Sequence, residues 1–279
     1  MPMPETISSA SLGADNYVFL TDYIHKESGI VLDESKRYLI ESRLLPIVRQ
    51  SQLDSLDGLC AVLRTRGNVK IQRQVVEAMT THETLFFRDV APFDALRTEI
   101  LPALIEQRKV FRTLRLWSAA ASSGQEAYSL AMLLLEMGLE GWNIQILGTD
   151  LSESILERAR EGKYKQNEVN RGLPAHYLVK YFDRKGLDWQ IKDHVRRIVR
   201  FEQFDLRQSM RAKGPFDVIF CRNCLIYFDM PTRKSILSEL SGTLFTGGSL
   251  VLGGTESTLN LDDRLRRVVV GRTVYYQAV

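Results

Sequence analysis

Residues 113–136 read TLRLWSAAASSGQEAYSLAMLLLE and combine two patterns that are typical of an α/β fold. The stretch begins with a short apolar run, as expected for a buried parallel strand, and ends with apolar residues at helical spacing. Small residues lie between the two patterns and would let a ligand approach the backbone. Gly124 is the single glycine among them, so the G-x-G-x-x-G pattern of dinucleotide-binding proteins is missing. The stretch therefore predicts a strand, a turn that can meet a ligand, and a helix.

Further apolar runs repeat this alternation towards the carboxyl terminus. Helical patterns follow the predicted strand at 113–119 and the apolar runs at 144–149 and 217–221. This alternation predicts a doubly wound, mostly parallel sheet with right-handed crossovers. The runs are IQILGT at 144–149, DVIFC at 217–221 and SLVLGG at 249–254.

The end of the chain departs from this rhythm. RRVVV at 266–270 and TVYYQAV at 273–279 are separated by Gly271 and Arg272, which predicts an antiparallel pair joined by a tight turn. Such a pair adds a reversed terminal strand to the sheet. Methyltransferases that use S-adenosylmethionine have a strand of this kind, and ordinary dinucleotide dehydrogenases lack it.

The first part of the chain is predicted to be helical. From residue 14 to about residue 80, apolar residues such as Tyr17, Leu20 and Ile24 follow helical spacing without strand-like alternation. We therefore predict three parts: an N-terminal helical domain at 1–81, a linker at 82–95, and an α/β domain at 96–279 with a short β excursion near 182–203.

Composition limits the classes of protein that this chain can be. Its 279 residues are 44% hydrophobic and 25% charged, as in packed globular proteins. No apolar run approaches the roughly 20 residues needed to cross a bilayer, and the first residues lack a signal-peptide pattern. We expect a cytoplasmic protein without membrane insertion. The net charge of +3 is too small to indicate nucleic-acid binding.

Three cysteines, Cys60, Cys221 and Cys224, are too few for a disulfide framework or a four-ligand metal site. Cys221 and Cys224 form a C-x-x-C, but no second pair exists and the histidines are scattered. We interpret these thiols as small buried residues and predict no metal site.

Two acidic residues follow predicted strands, where ligands of open α/β sheets bind. Asp150 ends the second strand, and its carboxylate could accept hydrogen bonds from ribose hydroxyls or could cap the next helix. Glu126 lies in the first turn of its helix and could complement the helix dipole or face a cationic ligand. Position at a strand end favours ribose for Asp150, and spacing leaves both roles of Glu126 open.

Several segments together resemble the CheR family of chemoreceptor methyltransferases, from about residue 15 to the end. The resemblance implies an α/β methyltransferase fold at 96–279 behind a small all-α domain, with the linker at 82–95 contributing to the cofactor site. It also implies transfer of a methyl group from S-adenosylmethionine to glutamate side chains of chemoreceptors, forming glutamyl methyl esters and S-adenosylhomocysteine in chemotactic adaptation. The segments are TTHETLFFRD, LRLWSAAASSGQEAYSLAM, GTDLSESILERAREGKY, GPFDVIFCRNCLIYFD and GGSLVLGGTES.

The resemblance also implies which residues bind the cofactor. Enteric members have asparagine where this chain has His82 and Asp205, and Asp205 can only accept hydrogen bonds, which puts a contact that needs a donor amide in doubt. The implied cofactor-binding residues are His82, Thr84, Arg88, Glu126, Asp150, Asp205, Leu206, Arg222 and Asn223.

The expected reaction needs no general base, because a glutamate carboxylate with a reference pKa of about 4.3 is ionised at neutral pH. Orientation of carboxylate oxygen, methyl carbon and sulfur remains the main task, and it can lower a barrier by roughly 7 to 11 kcal/mol. Arg88 and Tyr227 are the candidates for holding the acceptor carboxylate, with modest contributions. Alternatively, Arg88 forms a salt bridge between domains and Tyr227 is a packed aromatic residue.

Basic residues in the segment SKRYLIESRLLPIVRQ lie on one predicted helix. In the family, the corresponding helix is thought to face the acidic methylation helices in the cytoplasmic bundle of the receptor, although a solvated face is an equal alternative. The residues are Lys36, Arg37, Arg43 and Arg49. Members that bind a receptor's C-terminal pentapeptide carry a longer insert than residues 181–205 provide, so we predict no such tether.

The sequence disfavours three other classes of function. A methyltransferase for RNA or a small molecule would need a basic or aromatic groove that the sequence does not indicate. A catalytically silent module that binds S-adenosylmethionine is disfavoured by the intact Arg88, Asp150, Asn223 and Tyr227. A nicotinamide oxidoreductase is disfavoured by the missing glycine pattern and the reversed last strand.

Overall fold

The computed structural model describes residues 12–65, 67–139, 141–258 and 262–279. Their contacts divide the chain into two units. The helical unit comprises the described residues up to Thr81 together with Tyr227–Asp229, and the sheet unit comprises His82–Ile226 and Met230–Val279. In the ranges given above, no helix is both long and apolar enough to span a bilayer.

Four α-helices form the described part of the helical unit, as the spacing of apolar residues predicts. Leu20, Ile24 and Leu44 are fully buried among them, so the stripes predicted from the sequence meet in one core. Gly29 ends the first helix with a left-handed φ of 77°. The helices are α1 (Ala14–Ser28), α2 (Arg37–Gln50), α3 (Leu56–Thr65) and α4 (Val69–Met79), and a 3₁₀ turn spans Glu34–Lys36.

The sheet unit is built on a seven-stranded sheet, which confirms the predicted doubly wound fold. Its strands in chain order are β1 (Thr113–Ser118), β2 (Asn143–Asp150), β6 (Val199–Gln203), β7 (Phe216–Cys221), β8 (Leu244–Leu252), β9 (Leu265–Val270) and β10 (Thr273–Ala278). The spatial order is β6-β2-β1-β7-β8-β10-β9. The β6, β2, β1, β7 and β8 strands are parallel, and every residue of β7 is buried, as expected where helices cover both faces.

The last strand of the chain is the reversed one. It lies between β8 and β9 and runs antiparallel to both. Gly271, with a φ of 54°, and Arg272 form the two-residue turn before it. The predicted strand pair and the reversed terminal strand are therefore confirmed.

Helices connect the strands. One helix follows each of β1, β2 and β7, at the three places that the sequence predicts. These helices are α7 (Gln125–Glu136), α8 (Glu153–Glu161) and α12 (Met230–Gly242). A π-helical turn at Leu96–Ile100 joins the helix at Ala91–Ala95 to the helix at Leu101–Arg108. The helices are α5 (Ala91–Ala95), α6 (Leu101–Arg108), α7 (Gln125–Glu136), α8 (Glu153–Glu161), α9 (Gln166–Val169), α10 (Ala175–Tyr181), α11 (Asp193–Arg196) and α12 (Met230–Gly242).

A small antiparallel sheet lies apart from the main one. It contains β3 (Lys163–Lys165), β4 (Phe182–Lys185) and β5 (Asp188–Ile191), in the order β3-β5-β4. Its hairpin ends at Ile191, whereas the segment after Val199 is a strand of the main sheet. The predicted excursion near 182–203 thus spans a hairpin and a core strand, and β3 lies outside it.

Two glycines shape the ligand-facing ends of β1 and β2. Gly124 begins α7 with a φ of 92°, a conformation that favours glycine. A β-carbon on Gly148 would lie 2.6 Å from the ring of Phe201, so β2 can pack against β6 at this point because the side chain is absent.

Candidate functional site

The end of β1 carries a buried carboxylate. Glu126, in the first turn of α7, is 7% exposed. Its Oε1 accepts a hydrogen bond from Ser118 Oγ at 2.7 Å, and its Oε2 lies 3.1 Å from Arg222 Nη1. The helix dipole favours a negative charge here, and the contacts with Ser118 and Arg222 also fix the orientation of the Glu126 carboxylate.

Arg222 follows β7 and joins three segments. Its Nη2 donates to the carbonyl oxygen of Arg88 at 3.0 Å and to Asp89 Oδ2 at 2.6 Å, while Nη1 meets Glu126. The side chain is only 1% exposed, and its Nε is buried without a hydrogen-bond acceptor among the described residues. Arg222 is therefore a buried cation with one donor left to satisfy.

The loop at 82–90 passes over these strand ends in a strained conformation. Phe87, Asp89 and Val90 have φ values of 48°, 67° and 42°, which is unfavourable for residues other than glycine and above all for β-branched Val90. The Phe87 N–H donates to Ser129 Oγ at 2.9 Å, and Ser122 Oγ donates to the His82 carbonyl at 3.0 Å. Both contacts help to hold the strained loop in place.

Arg88 is half-buried within this loop. Its Nη1 donates to the carbonyl oxygen of Glu83 at 2.9 Å. The Arg88 guanidinium thus folds back over its own loop, and the Arg88 carbonyl oxygen accepts a hydrogen bond from Arg222.

Asp150 ends β2 and is held by backbone groups. Oδ2 accepts the Ser122 N–H at 2.9 Å and Oδ1 accepts the Ser152 N–H at 3.1 Å. Burial raises the pKa of Asp150, against the lowering effect of these N–H groups and of nearby His82. Ser152, whose Oγ accepts the Ile155 N–H, is the N-cap of α8, so the alternative interpretation of Asp150 as this cap is wrong.

His82 and Thr84 line a cavity of about 190 Å³ together with Ser123 and Gln125. The cavity is therefore bordered by the strained loop and by the turn between β1 and α7. Two of the residues implied by the resemblance thus share one depression of the surface.

Asp205 and Leu206 follow β6. Leu206 is buried, whereas both oxygens of Asp205 accept hydrogen bonds from Arg207, the shortest at 2.6 Å from Nη2. Arg207 therefore neutralises the charge of Asp205.

Asn223 follows Arg222 and adopts a left-handed φ of 57°. Its N–H donates to Glu256 Oε2 at 2.8 Å, and the Leu225 N–H donates to Glu256 Oε1 at 2.8 Å. Glu256 therefore holds the backbone on both sides of Cys224.

Tyr227 groups with the helical unit. Its carbonyl oxygen accepts the Val31 N–H at 2.9 Å, and its ring packs against the core of that unit. These contacts agree with the alternative of a packed aromatic residue.

The four basic residues predicted on one helix do not all lie on it: Arg37, Arg43 and Arg49 belong to α2, whereas Lys36 ends the 3₁₀ turn before it. Their surroundings differ. Arg43 donates to the carbonyl oxygens of Met79 at 2.9 Å and Thr80 at 3.1 Å, so it stabilises the end of α4. Arg37 stacks 4.6 Å above the Tyr17 ring, Lys36 pairs with Asp33 at 3.4 Å, and Arg49 is exposed.

The C-x-x-C thiols lie beside the site, with their sulfur atoms 3.3 Å apart. A hydrogen bond to Cys221 and burial raise the pKa of Cys224 well above its ordinary value, and burial raises the pKa of Cys60 to about 11. Thiols that resist ionisation are poor nucleophiles, as their interpretation as packing residues requires.

Four functional candidates escaped the sequence analysis: Ser118, Ser122, Asp89 and Glu256. Ser118, Ser122 and Asp89 touch residues that the analysis singled out, namely Glu126, Asp150 and Arg222. Asp89 and Glu256 lie in LFFRD and GGTES, inside segments that carry the family resemblance. Their place in these segments was the one feature of the sequence that could have singled out Asp89 and Glu256, because hydrogen bonds between loops produce no spacing pattern in the sequence.

Comparison with known proteins places both parts of the chain in one family. Residues 15–80 match the family model described as CheR methyltransferase, all-alpha domain, and residues 82–274 match the model described as CheR methyltransferase, SAM binding domain. The chain is 42% identical to chemotaxis protein methyltransferase 1 of Pseudomonas aeruginosa, over 92% of this chain and 95% of the relative. A chemotaxis protein methyltransferase of Pseudomonas putida is 40% identical with the same coverage, and one of Vibrio cholerae is 37% identical over 97% of this chain and 99% of its own length. The chain therefore belongs to the CheR family of S-adenosylmethionine-dependent methyltransferases.

Proposed function

We propose that this enzyme transfers methyl groups from S-adenosylmethionine to glutamate side chains of chemoreceptors, forming glutamyl methyl esters in chemotactic adaptation. The observation that carries the proposal is the match, over more than nine tenths of the chain, to proteins named chemotaxis protein methyltransferases. The same activity places the enzyme in the cytoplasm, where receptor methylation sites are presented.

The residues at the strand ends fit the cofactor. Asp150 accepts the backbone N–H groups of Ser122 and Ser152, and its carboxylate could accept further hydrogen bonds from ribose hydroxyls. The buried Nε of Arg222 needs an acceptor, which the carboxylate of the methionine moiety would supply. Glu126 would face the ammonium group of that moiety. The bound cofactor supplies a methyl group activated by the sulfonium.

His82, Thr84, Leu206 and Asn223 complete the proposed cofactor-binding set. His82 lies close enough to Asp150 to lower its pKa, and Leu206 is buried, which supports this assignment. Asp205 stays in the proposal with its charge already engaged by Arg207, so we assign it a role in shaping the pocket.

Arg88 and Tyr227 are proposed to position the acceptor carboxylate. A guanidinium that bound this group too tightly would stabilise the ground state, where its charge is full, more than the transition state. We therefore expect Tyr227→Phe to lower turnover modestly while the affinity for the cofactor stays the same. Arg88→Ala should lower both turnover and that affinity, because the resemblance also implies that Arg88 binds the cofactor. Full turnover in both variants would refute this role.

The acidic receptor bundle is the proposed protein partner of α2. Arg49 and Lys36 are the cations that best support a contact of this kind, with Arg37 beside them, because Arg43 is used inside the helical unit. A pentapeptide tether is not part of the proposal.

Transfer of radiolabelled methyl from S-adenosylmethionine to receptor-containing membranes tests the proposed function. The unmodified enzyme should leave base-labile label on the receptors, and Asp150→Ala should lose it. Base-stable label would indicate another acceptor group. Cofactor binding without any label would indicate a silent module.

A further inference from the structure

Glu256 lies on the connection after β8 and binds three backbone donors with one carboxylate. Oε2 accepts the N–H groups of Gly253 at 2.7 Å and Asn223 at 2.8 Å, and Oε1 accepts the N–H of Leu225 at 2.8 Å. A carboxylate that receives several backbone N–H groups forms charge-assisted hydrogen bonds, which are stronger than neutral ones.

The loop that it holds is the loop after β7. Asn223 has a left-handed φ of 57°, a conformation that is costly outside glycine and that turns its N–H towards Glu256. Asn223 follows Arg222, whose guanidinium reaches Glu126 and Asp89, and Leu225 lies two residues after Asn223. The direction of both proposed cofactor contacts, Arg222 and Asn223, thus depends on a backbone that Glu256 fixes.

Close packing leaves this carboxylate little freedom. A β-carbon on Gly253 would lie 2.7 Å from Glu256 Oε2, 2.9 Å from the Asn223 backbone nitrogen and 2.9 Å from Asn223 Nδ2. The absence of a side chain at Gly253 therefore permits the contact between the two loops.

We infer that Glu256 is a positioning residue of the cofactor site: it holds the Arg222–Asn223 backbone in the conformation that binds S-adenosylmethionine. This inference rests on the proposed cofactor contacts of Arg222 and Asn223 and deepens them. Glu256 itself is not assigned a contact with the cofactor.

The substitution Glu256→Gln tests this role with little change in shape. A glutamine has one acceptor oxygen and an NH₂ group, so at least one of the three N–H donors would face another donor. Asp262→Asn is the matched control. It makes the same acid-to-amide change on the β8–β9 connection, where Asp262 binds the Arg264 N–H and Ser241 Oγ.

Calorimetry with S-adenosylhomocysteine, below the melting temperature of every variant, gives the decisive readout. We expect Glu256→Gln to raise the Kd by about tenfold or more, the loss that corresponds to one charge-assisted hydrogen bond, and to raise KM for S-adenosylmethionine more than it lowers kcat. Asp262→Asn should leave the Kd unchanged even if its Tm falls. Gly253→Ala, which pushes the same groups apart, should reproduce the rise and serves as the test if Glu256→Gln does not fold.

An unchanged Kd in both Glu256→Gln and Gly253→Ala would overturn the inference, and so would an equal rise in Asp262→Asn. Failure of this inference can be distinguished from failure of the proposed function. If the proposed function were wrong, the unmodified enzyme with Glu256 in place would bind the product without methylating receptors.

Discussion

The carboxylates that follow β1 and β2 lie on adjacent strands but are held in different ways. Glu126 is bound by the side chains of Ser118 and Arg222, so its charge is neutralised within the chain. Asp150 receives the backbone N–H groups of Ser122 and Ser152, and burial raises its pKa. Glu126 therefore belongs to an ionic network that supports the fold as well as the site. Burial disfavours the charge of Asp150, and a ligand that donates hydrogen bonds to this carboxylate would stabilise that charge.

The largest effect is expected where the network is broken. Arg222→Met would leave Glu126 buried without its cation, and loss of one partner of a buried pair costs about 3 to 5 kcal/mol. Urea denaturation should show this fall in the free energy of unfolding. Arg264→Met breaks a half-exposed pair with Asp262 and should cost about 1 kcal/mol or less. Equal losses in the two variants would contradict the importance of the network.

Asp150→Asn should separate binding from stability. Replacing the charged acceptor should weaken binding of S-adenosylhomocysteine about 10- to 100-fold, since hydrogen bonds to charged groups contribute about 1.5 to 3 kcal/mol. The free energy of unfolding should change by about 1 kcal/mol or less, because the variant also removes a charge whose burial is unfavourable.

Asp217→Asn is the matched control for this prediction. Asp217 is 1% exposed and accepts hydrogen bonds from Arg108 Nε and the Arg115 N–H, both at 2.8 Å. We expect the opposite pattern, a clear loss of stability with unchanged product affinity in calorimetry. A large stability loss in Asp150→Asn as well would remove the distinction between the two carboxylates.

The pH dependence of binding should carry the signature of Asp150. Its pKa is raised in the folded protein, so the folded state without ligand loses stability as pH rises from the ordinary aspartate range through the raised pKa. Binding of the ribose needs the ionised form, so product affinity should fall on acidification at a higher pH than an ordinary aspartate would give. Calorimetry over a pH series that is lowered towards the ordinary aspartate range should show this fall in the unmodified enzyme, and its persistence in Asp150→Asn would assign it to another group.

The smallest effects are expected on α2. Arg43→Ala removes donors from the end of α4 and should lower the free energy of unfolding by about 1 kcal/mol without changing cofactor affinity. Lys36→Ala combined with Arg49→Ala should instead leave stability unchanged and lower kcat/KM for receptor methylation a few-fold, less so at high salt. A salt-independent loss, or no loss, would argue against an ionic contact with the receptor.

Much of the fold follows from the sequence, because burial of parallel strands requires continuous apolar runs. TLRLWSA and DVIFC predicted β1 and β7 in this way, whereas the closing pair β9 and β10 was predicted from the tight turn at Gly271 and Arg272. The strand β3 gave no such signal, since Lys163–Lys165 alternates and has one buried residue, Tyr164. Its pairing with β5 depends on a distant segment rather than on its own pattern.

The proposed site residues were found by two different signals. Asp150 was identified because a strand ends there, and Arg222 because it follows β7 within a segment that resembles the family. The partners Asp89 and Glu256 could not be derived in this way, because their roles depend on loops that meet only in the folded chain. The charge of Arg43 suggested a surface contact, whereas its hydrogen bonds belong to the helical unit.

Mapping of the modified residue tests the central claim most directly. Receptor-containing membranes would be incubated with the enzyme and S-adenosylmethionine, and receptor peptides analysed by mass spectrometry. The account predicts a single added methyl group on glutamate side chains, removed by mild base and absent with Asp150→Asn. Methyl groups on lysine, arginine or nucleic acid, with unmodified receptor glutamates, would contradict it.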